Sequence, residues 1–307
     1  MSECVFTRTL KLDLPYARGA DVLALQRRLA ELNSAPSPAD GVFGPQTDRA
    51  FRSWEARVGI TPDGICNAAA WSKLFPAADA TRDARWTRGL PLLLQDHSRF
   101  PGPCRWRLSA DGIGIDGAAP SGSEGAPVTM QRIWDHFGTS VTSWSTRLGV
   151  PAELILATIA TESGGDPNAI RFEPRYRSDE TTPDQVSPGL MQTLISTARE
   201  TLGNPGVDRS WLLCPDNAIQ AGTACILQAS GATGFDPPVV ACCYNAGSVI
   251  ENDSAANRWR MRQYPIGTGQ HADRFVMWFN DAMRVLAPLP SPPPVSFTVR
   301  LRPGASS

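Results

Sequence analysis

The chain has 307 residues and a formal net charge of −1, from 29 Lys+Arg against 30 Asp+Glu. An apolar content of 42% is enough to build packed cores and excludes global disorder. The balanced charge lacks the basic surplus that general nucleic-acid binding needs, and no apolar run is long enough to span a bilayer.

Length alone suggests about two domains. The opening MSECVFTRTLKLDL has no apolar stretch of signal-peptide length, so synthesis in the cytoplasm with release by some other route is expected. Residues 1–18 read as a short strand, Phe6 to Leu12, followed by a turn. The seven cysteines include no CxxC pair and the three histidines are scattered. Small buried thiols are therefore expected, with neither a metal site nor a cofactor; a Cys214–Cys225 bridge after export is the alternative.

Residues 19–75 form a module with an internal echo. Asp40-Gly41-Val42-Phe43 is answered by Asp63-Gly64-Ile65-Cys66, and Asp-Gly is turn chemistry. Three helical stripes surround the turns: Val22, Leu25, Leu29 and Leu32; Thr47, Phe51, Trp54 and Val58; Trp71 and Leu74. Gly19, Asp21, Val22, Leu25, Gln26 and Leu29, followed by DGVFGPQT and GITPDGI, resemble the three-helix peptidoglycan-binding domain of bacterial and phage wall enzymes. The second turn departs from the pattern, with Asn67-Ala68 in place of Gly-Pro. The resemblance implies wall binding, with Asp40, Phe43, Asp63 and Trp71 as candidate wall contacts. A helical spacer without a ligand is the plainer alternative.

A stretch rich in Pro, Gly, Ser and Ala follows, with one strand-like segment from Cys104 to Leu108. From residue 127 the pattern is helical. A helix is expected from Val128 to about Arg147, with Ile133, Trp134 and Phe137 inward and Gly149 ending it. Pro151 then opens PAELILATIATES, at a position where a missing N–H costs nothing. Leu154, Ile155, Thr158 and Ile159 share a face with Glu162. Glu162 thus ends an apolar stripe, at the helix end whose dipole disfavours negative charge. Desolvation and dipole both favour a protonated carboxyl, which a general acid needs. A helix-end glutamate turned to solvent is the alternative.

Three more segments follow. Ser187-Pro188-Gly189-Leu190-Met191-Gln192 reads as the opening of a helix that Gly203 closes. Pro215 starts another through Ile226. Pro238 leads VVACCYNAG. In order, E-S-G-G, G-L-M-Q and Y-N-A-G resemble the motif series of the soluble lytic transglycosylases, a family itself similar to goose-type lysozymes. Cys243 stands where alanine is usual, and Gly165-Asp166-Pro167 lacks the family's aromatic residue.

The resemblance implies a mainly α fold: a lysozyme-like helical catalytic domain beside a small three-helix peptidoglycan-binding domain, with minor β structure in the linker and termini. It implies Glu162 as catalytic acid and base, and Ser163 orienting the substrate N-acetyl group. Met191 and Gln192 would line the groove, with Tyr244 and Asn245 opposite Glu162. The expected domains are 1–78 for wall binding, 79–126 as a linker with a small sheet, and 127–287 for catalysis. The tail, 288–307, is a Pro-rich spacer ending in an alternating strand, Val295 to Leu301.

The expected partner is the peptidoglycan glycan strand. A lytic transglycosylase would cleave its MurNAc–GlcNAc bond with one Glu and form 1,6-anhydro-MurNAc. A hydrolytic muramidase would need a second carboxylate, which Glu173, Asp179, Glu180 or Asp184 in the polar insert 171–186 could supply. That insert is a candidate lid or groove wall. A third reading is a non-catalytic wall anchor of a phage tail or secretion apparatus. Action in the periplasm or wall after holin- or machine-mediated release fits the missing leader. An excess of acidic residues over Arg in 150–287 suggests contacts chiefly with the neutral glycan backbone.

Overall fold

The computed structural model describes residues 8–32, 39–75 and 86–302, which fall into two units, Met1–Asp79 and Ala80–Ser307. In the first unit, α1 (Ala20–Glu31), α2 (Pro45–Arg57) and α3 (Ala68–Leu74) close around Val22, Leu25, Leu29, Phe51, Trp54 and Leu74. The two turns repeat in detail. Asp40 Oδ1 accepts from the Val42 N–H at 2.9 Å, and Asp63 Oδ1 from the Ile65 N–H at 2.8 Å. Gly41 and Gly64 have φ of 72° and 69°, which glycine adopts without steric cost.

A buried polar group clamps each turn. Gln26 accepts from the Gly41 N–H at 2.8 Å and donates to Asp40 at 2.9 Å. Glu55 accepts from the Gly64 N–H at 2.9 Å, with Asp63 acting on it from the same turn. Burial, reinforced by Asp63, pushes the Glu55 carboxyl up to about 7. Glu55 thus stands at the second turn where Gln26 stands at the first.

This arrangement corrects two expected wall contacts. Phe43 is 0% exposed and Trp71 is 4% exposed, so both are core side chains. Asp40 and Asp63 use their carboxylates within the turns. The expected strand at Phe6–Leu12 is, among the described residues, a single bridge from Leu10 to Cys66; Phe6 lies outside those residues.

The second unit begins with α4 (Leu90–Leu93) and a hairpin of β1 (Trp106–Ser109) and β2 (Gly112–Ile115), with Trp106 opposite Ile115. Next come α5 (Val128–Leu148), α6 (Ala152–Ser163), β3 (Ile170–Phe172) and β4 (Val186–Pro188). Helices α7 (Ile195–Leu202), α8 (Arg209–Leu213), α9 (Pro215–Gln228), α10 (Ser230–Thr233) and α11 (Pro237–Ala246) follow. The long α12 (Gln270–Leu286) and the short α13 (Phe297–Leu301) complete it.

Helix α6 is central, packed by α5, α9, α11 and α12. Residues 152–161 are buried all round, so the predicted stripe covers the whole circumference, as in a helix enclosed on every side. The hairpin is fixed to both later helices. Asn280 of α12 accepts from the Ile113 N–H at 2.7 Å and donates to Ile113 O at 3.1 Å. Asp236, the residue before α11, accepts from Trp106 Nε1 at 2.9 Å and lies 3.0 Å from His97 Nε2. Burial alone would lower the His97 pKa, but the bond to Asp236 outweighs it and raises it. This clamp fixes the start of the helix that ends at Tyr244 and Asn245.

Three expectations change. GLMQ is a turn, and the helix begins only at Ile195. Gly189 (φ 83°) and Gln192 (φ 48°) are both left-handed, and a Cβ on Gly189 would collide with Leu212 O. The tail ends in helix α13, where a strand was expected. Its first amides are captured by buried Glu153 of α6, which accepts from Ser296 Oγ at 2.5 Å, Phe297 N at 3.1 Å and Thr298 N at 2.9 Å. Such capping selects helix over a two-residue alternation. The six described cysteines are all free, so Cys214 and Cys225 are not bridged; Cys4 lies outside the described residues. Among the described residues no helix is long and apolar enough to cross a membrane.

Candidate active site

Glu162 sits in the last turn of α6, which Gly164 ends in the left-handed conformation. Its side chain is 7% exposed and lines a cleft with a cavity volume of about 1570 Å3. Burial pushes the Glu162 carboxyl up to about 7, against the pull of Arg171 and Arg274. No hydrogen bond to it is formed among the described residues. Its nearest ionisable neighbour is His271, in the first turn of α12, with Nε2 at 3.7 Å from Glu162 Oε1. Burial, then Arg274 and Arg171, push His271 down to about 4. The N-terminal end of α12 disfavours an imidazolium as well. Near neutral pH, then, a neutral imidazole stands beside a carboxyl that holds its proton about half the time.

The floor of the cleft is tied together from the end of α11. Tyr244 Oη donates to Met191 O at 2.9 Å and meets Thr193 Oγ1 at 2.9 Å. Burial holds its phenol well above the ordinary tyrosine range. Asn245 Oδ1 accepts from the Tyr264 N–H at 2.5 Å. Gln192 donates to Ala169 O at 2.9 Å and Gly189 O at 2.8 Å, fastening the turn to the segment after Glu162. One wall is the β3–β4 pair with the insert between its strands; from it Arg171, Glu173, Gln185 and Ser187 line the cleft.

Of the six residues the motifs single out, Glu162, Gln192, Tyr244 and Asn245 line the cleft. Ser163 and Met191 do not. Ser163 Oγ donates to Leu190 O at 2.7 Å, binding the end of α6 to the turn. The Met191 side chain is buried against Gly222, where no Cβ would fit. Residues that sequence reasoning missed are His271, Arg171, Arg274 and Tyr264, which is 51% exposed at the rim. Thr161 and Ser187 were missed too. Their hydroxyls are buried without a protein hydrogen-bond partner, and both residues line the cleft. Only His271 left a sequence signal: it stands one turn before Phe275 on an apolar helix face.

Three of the four candidate second carboxylates are engaged elsewhere or paired, and the fourth, Glu180, is exposed and does not line the cleft. Asp179 is held by Arg209 at 2.7 Å and Tyr176 at 2.9 Å, and Asp184 by Gln185 at 2.7 Å. Glu173 lines the cleft but pairs with Arg171 at 3.1 Å.

A buried acid of raised pKa at the foot of a polar cleft is the setting a general acid needs; lysozyme is the standard example of that environment. Residues 139–264 match the transglycosylase SLT domain, and residues 18–74 match the putative peptidoglycan binding domain. The chain is a peptidoglycan-cleaving enzyme of the lytic transglycosylase type with an N-terminal peptidoglycan-binding domain. No curated protein matches it. The crystal structure of Burkholderia AP3 phage endolysin is 16% identical, with 90% of this chain and 100% of that one covered. The TM-score is 0.27, too low for any comparison of the two folds.

Proposed function

We propose that the protein cuts the β-1,4 bond between N-acetylmuramic acid and N-acetylglucosamine with Glu162 as its sole acid and base, leaving a 1,6-anhydromuramyl end. The observation that carries this reading is the burial of Glu162 beside a neutral His271, with no second buried carboxylate among the described cleft residues. Protonated Glu162 gives its proton to the leaving glycosidic oxygen as the C1–O bond breaks. The substrate's acetamido oxygen stabilises the electron-poor C1. Glu162, now a carboxylate, takes the proton from the muramyl 6-hydroxyl, whose oxygen bonds to C1. One group thus serves as acid and then base, and no water enters the product.

Arg171 and Arg274 favour the carboxylate form between the two steps. Tyr244 and Asn245 hold the floor facing Glu162, and Ser163 acts by position through Leu190. The unpartnered hydroxyls of Thr161 and Ser187 suit the polar groups of a sugar, because a buried hydroxyl left unpaired costs stability. Hydrolysis remains a second reading on one observation: Glu173 lines the same cleft. A wall-binding unit joined to a wall-cutting one suits an endolysin released by a holin, or an enzyme delivered by a phage tail or secretion apparatus. Lysis only on co-expression of such a pore would bear this out. The test of the catalytic assignment is Glu162→Gln, which should abolish wall digestion while sacculus binding and the melting temperature persist. Digestion at the wild-type rate would remove Glu162 from the mechanism.

A further inference from the structure

Residues 150–287 carry more acidic residues than Arg, yet the cleft they line is not acidic. Arg99, Arg171, Arg175 and Arg274 line it against Glu162, Glu173 and Glu200. Arg171 is paired with Glu173. Arg274 makes no hydrogen bond and no ion pair among the described residues, nor does Arg175; Arg99 makes only a cation–π contact with Phe100. Arg274 on α12 and Arg171 on β3 reach the same place from two elements, since both act electrostatically on Glu162 and on His271. Both residues are exposed, where charges add little to stability. A planar, permanently charged fork at a cleft is suited to a carboxylate, which it can bind through two parallel hydrogen bonds.

We propose that Arg274 and Arg171, with Arg175 and Arg99 lining the same cleft, form a carboxylate subsite that takes the acidic substituent of N-acetylmuramic acid and selects wall glycan over uncharged N-acetylglucosamine polymers. The proposal rests on the reading of this cleft as the glycan site. It runs against the expectation that the neutral sugar backbone supplies most contacts, and the test below decides between them. Two sources offer the same chemistry: the carboxylates of the peptide stem, and the lactyl carboxylate left where a stem has been removed.

Binding tests it apart from cleavage. Titration calorimetry on full-length Glu162→Gln, with and without Arg274→Gln, would use three soluble oligosaccharides of equal length. They are stem-bearing wall fragments, amidase-stripped fragments with free lactyl carboxylates, and chitooligosaccharide. The difference between the two proteins isolates the cleft from the N-terminal unit. Loss of one charge-assisted pair should weaken the charged ligand about tenfold, with a much smaller change for chitooligosaccharide. Arg274→Lys should recover part of the loss. A loss confined to stem-bearing fragments assigns the stem; a loss on stripped fragments assigns the lactyl group. Equal weakening of all three ligands, or of none, overturns the subsite. Absence of cleavage by the wild-type enzyme would count against the proposed reaction, while these titrations would still decide the subsite.

Discussion

His271 Nε2 lies 3.7 Å from Glu162 Oε1, yet the two do not form an ion pair. Each is buried, and burial drives each toward its neutral form: the acid up to about 7, the imidazole down to about 4. The groups facing Glu162 are His271 and Arg274 from α12, Arg171 from β3 and Tyr244 from α11. Because the first step needs the protonated acid, kcat/KM should fall as pH rises through about 7. His271→Gln keeps a neutral neighbour and should leave that limb near its place. His271→Lys introduces a lasting cation and should move the limb at least one pH unit lower. At pH 7 a one-unit move would cost about fivefold in rate. An unmoved limb in the lysine variant would uncouple His271 from the acid.

Ser163 and Ser187 should separate by phenotype. Ser163→Ala removes the bond to Leu190 O and should cost about 1 kcal/mol of stability, with a fall in kcat because the end of α6 loses its tie. Ser187→Ala removes no internal bond, so the melting temperature should hold while KM rises severalfold. Calorimetry with steady-state kinetics on solubilised wall checks both; the reverse pattern would exchange their roles.

Asp236 is a structural acid. Asp236→Ala leaves Trp106 Nε1 and His97 Nε2 buried without their acceptor, which should cost about 3 kcal/mol. His97, raised by Asp236 in the folded protein, contributes most below the ordinary histidine pKa, and that contribution fades as pH rises through the raised value. The stability gap between wild type and variant should therefore narrow with rising pH in denaturant titrations.

Glu55 should make the first unit pH-sensitive in the opposite manner to an ordinary carboxylate. Its folded pKa of about 7 exceeds the ordinary 4.5, so the folded state holds the proton more tightly. Its contribution is full below about 4.5 and lost as pH rises through 7. Glu55→Gln, which copies Gln26, should raise the first unit's melting temperature at pH 8 and change little at pH 4. Scanning calorimetry of the full chain would detect this; destabilisation at pH 8 would contradict it.

Local chemistry made much of this legible in the sequence. Pro45, Pro215 and the glycines at 149, 164 and 203 mark helix ends where the structure has them. The stripe before Glu162 foretold a desolvated acid. Long-range pairings were not legible. Glu153 turned an alternating tail into a helix, and Leu212 O forced Gly189 into a turn where a helix start was expected. Phe43 and Trp71 sit on recognisable motifs, but their place in the core depends on all three helices closing over them. His271 and Arg274 reach Glu162 only through the packing of α12 on α6, which no spacing in the chain encodes.

The most direct test of the central claim is digestion of purified sacculi in water enriched in heavy oxygen, with mass spectrometry of the released fragments. The account predicts 1,6-anhydromuramyl ends without label, and no fragments from Glu162→Gln. Labelled reducing muramyl ends would contradict it, since a water, not the 6-hydroxyl, would then have attacked C1.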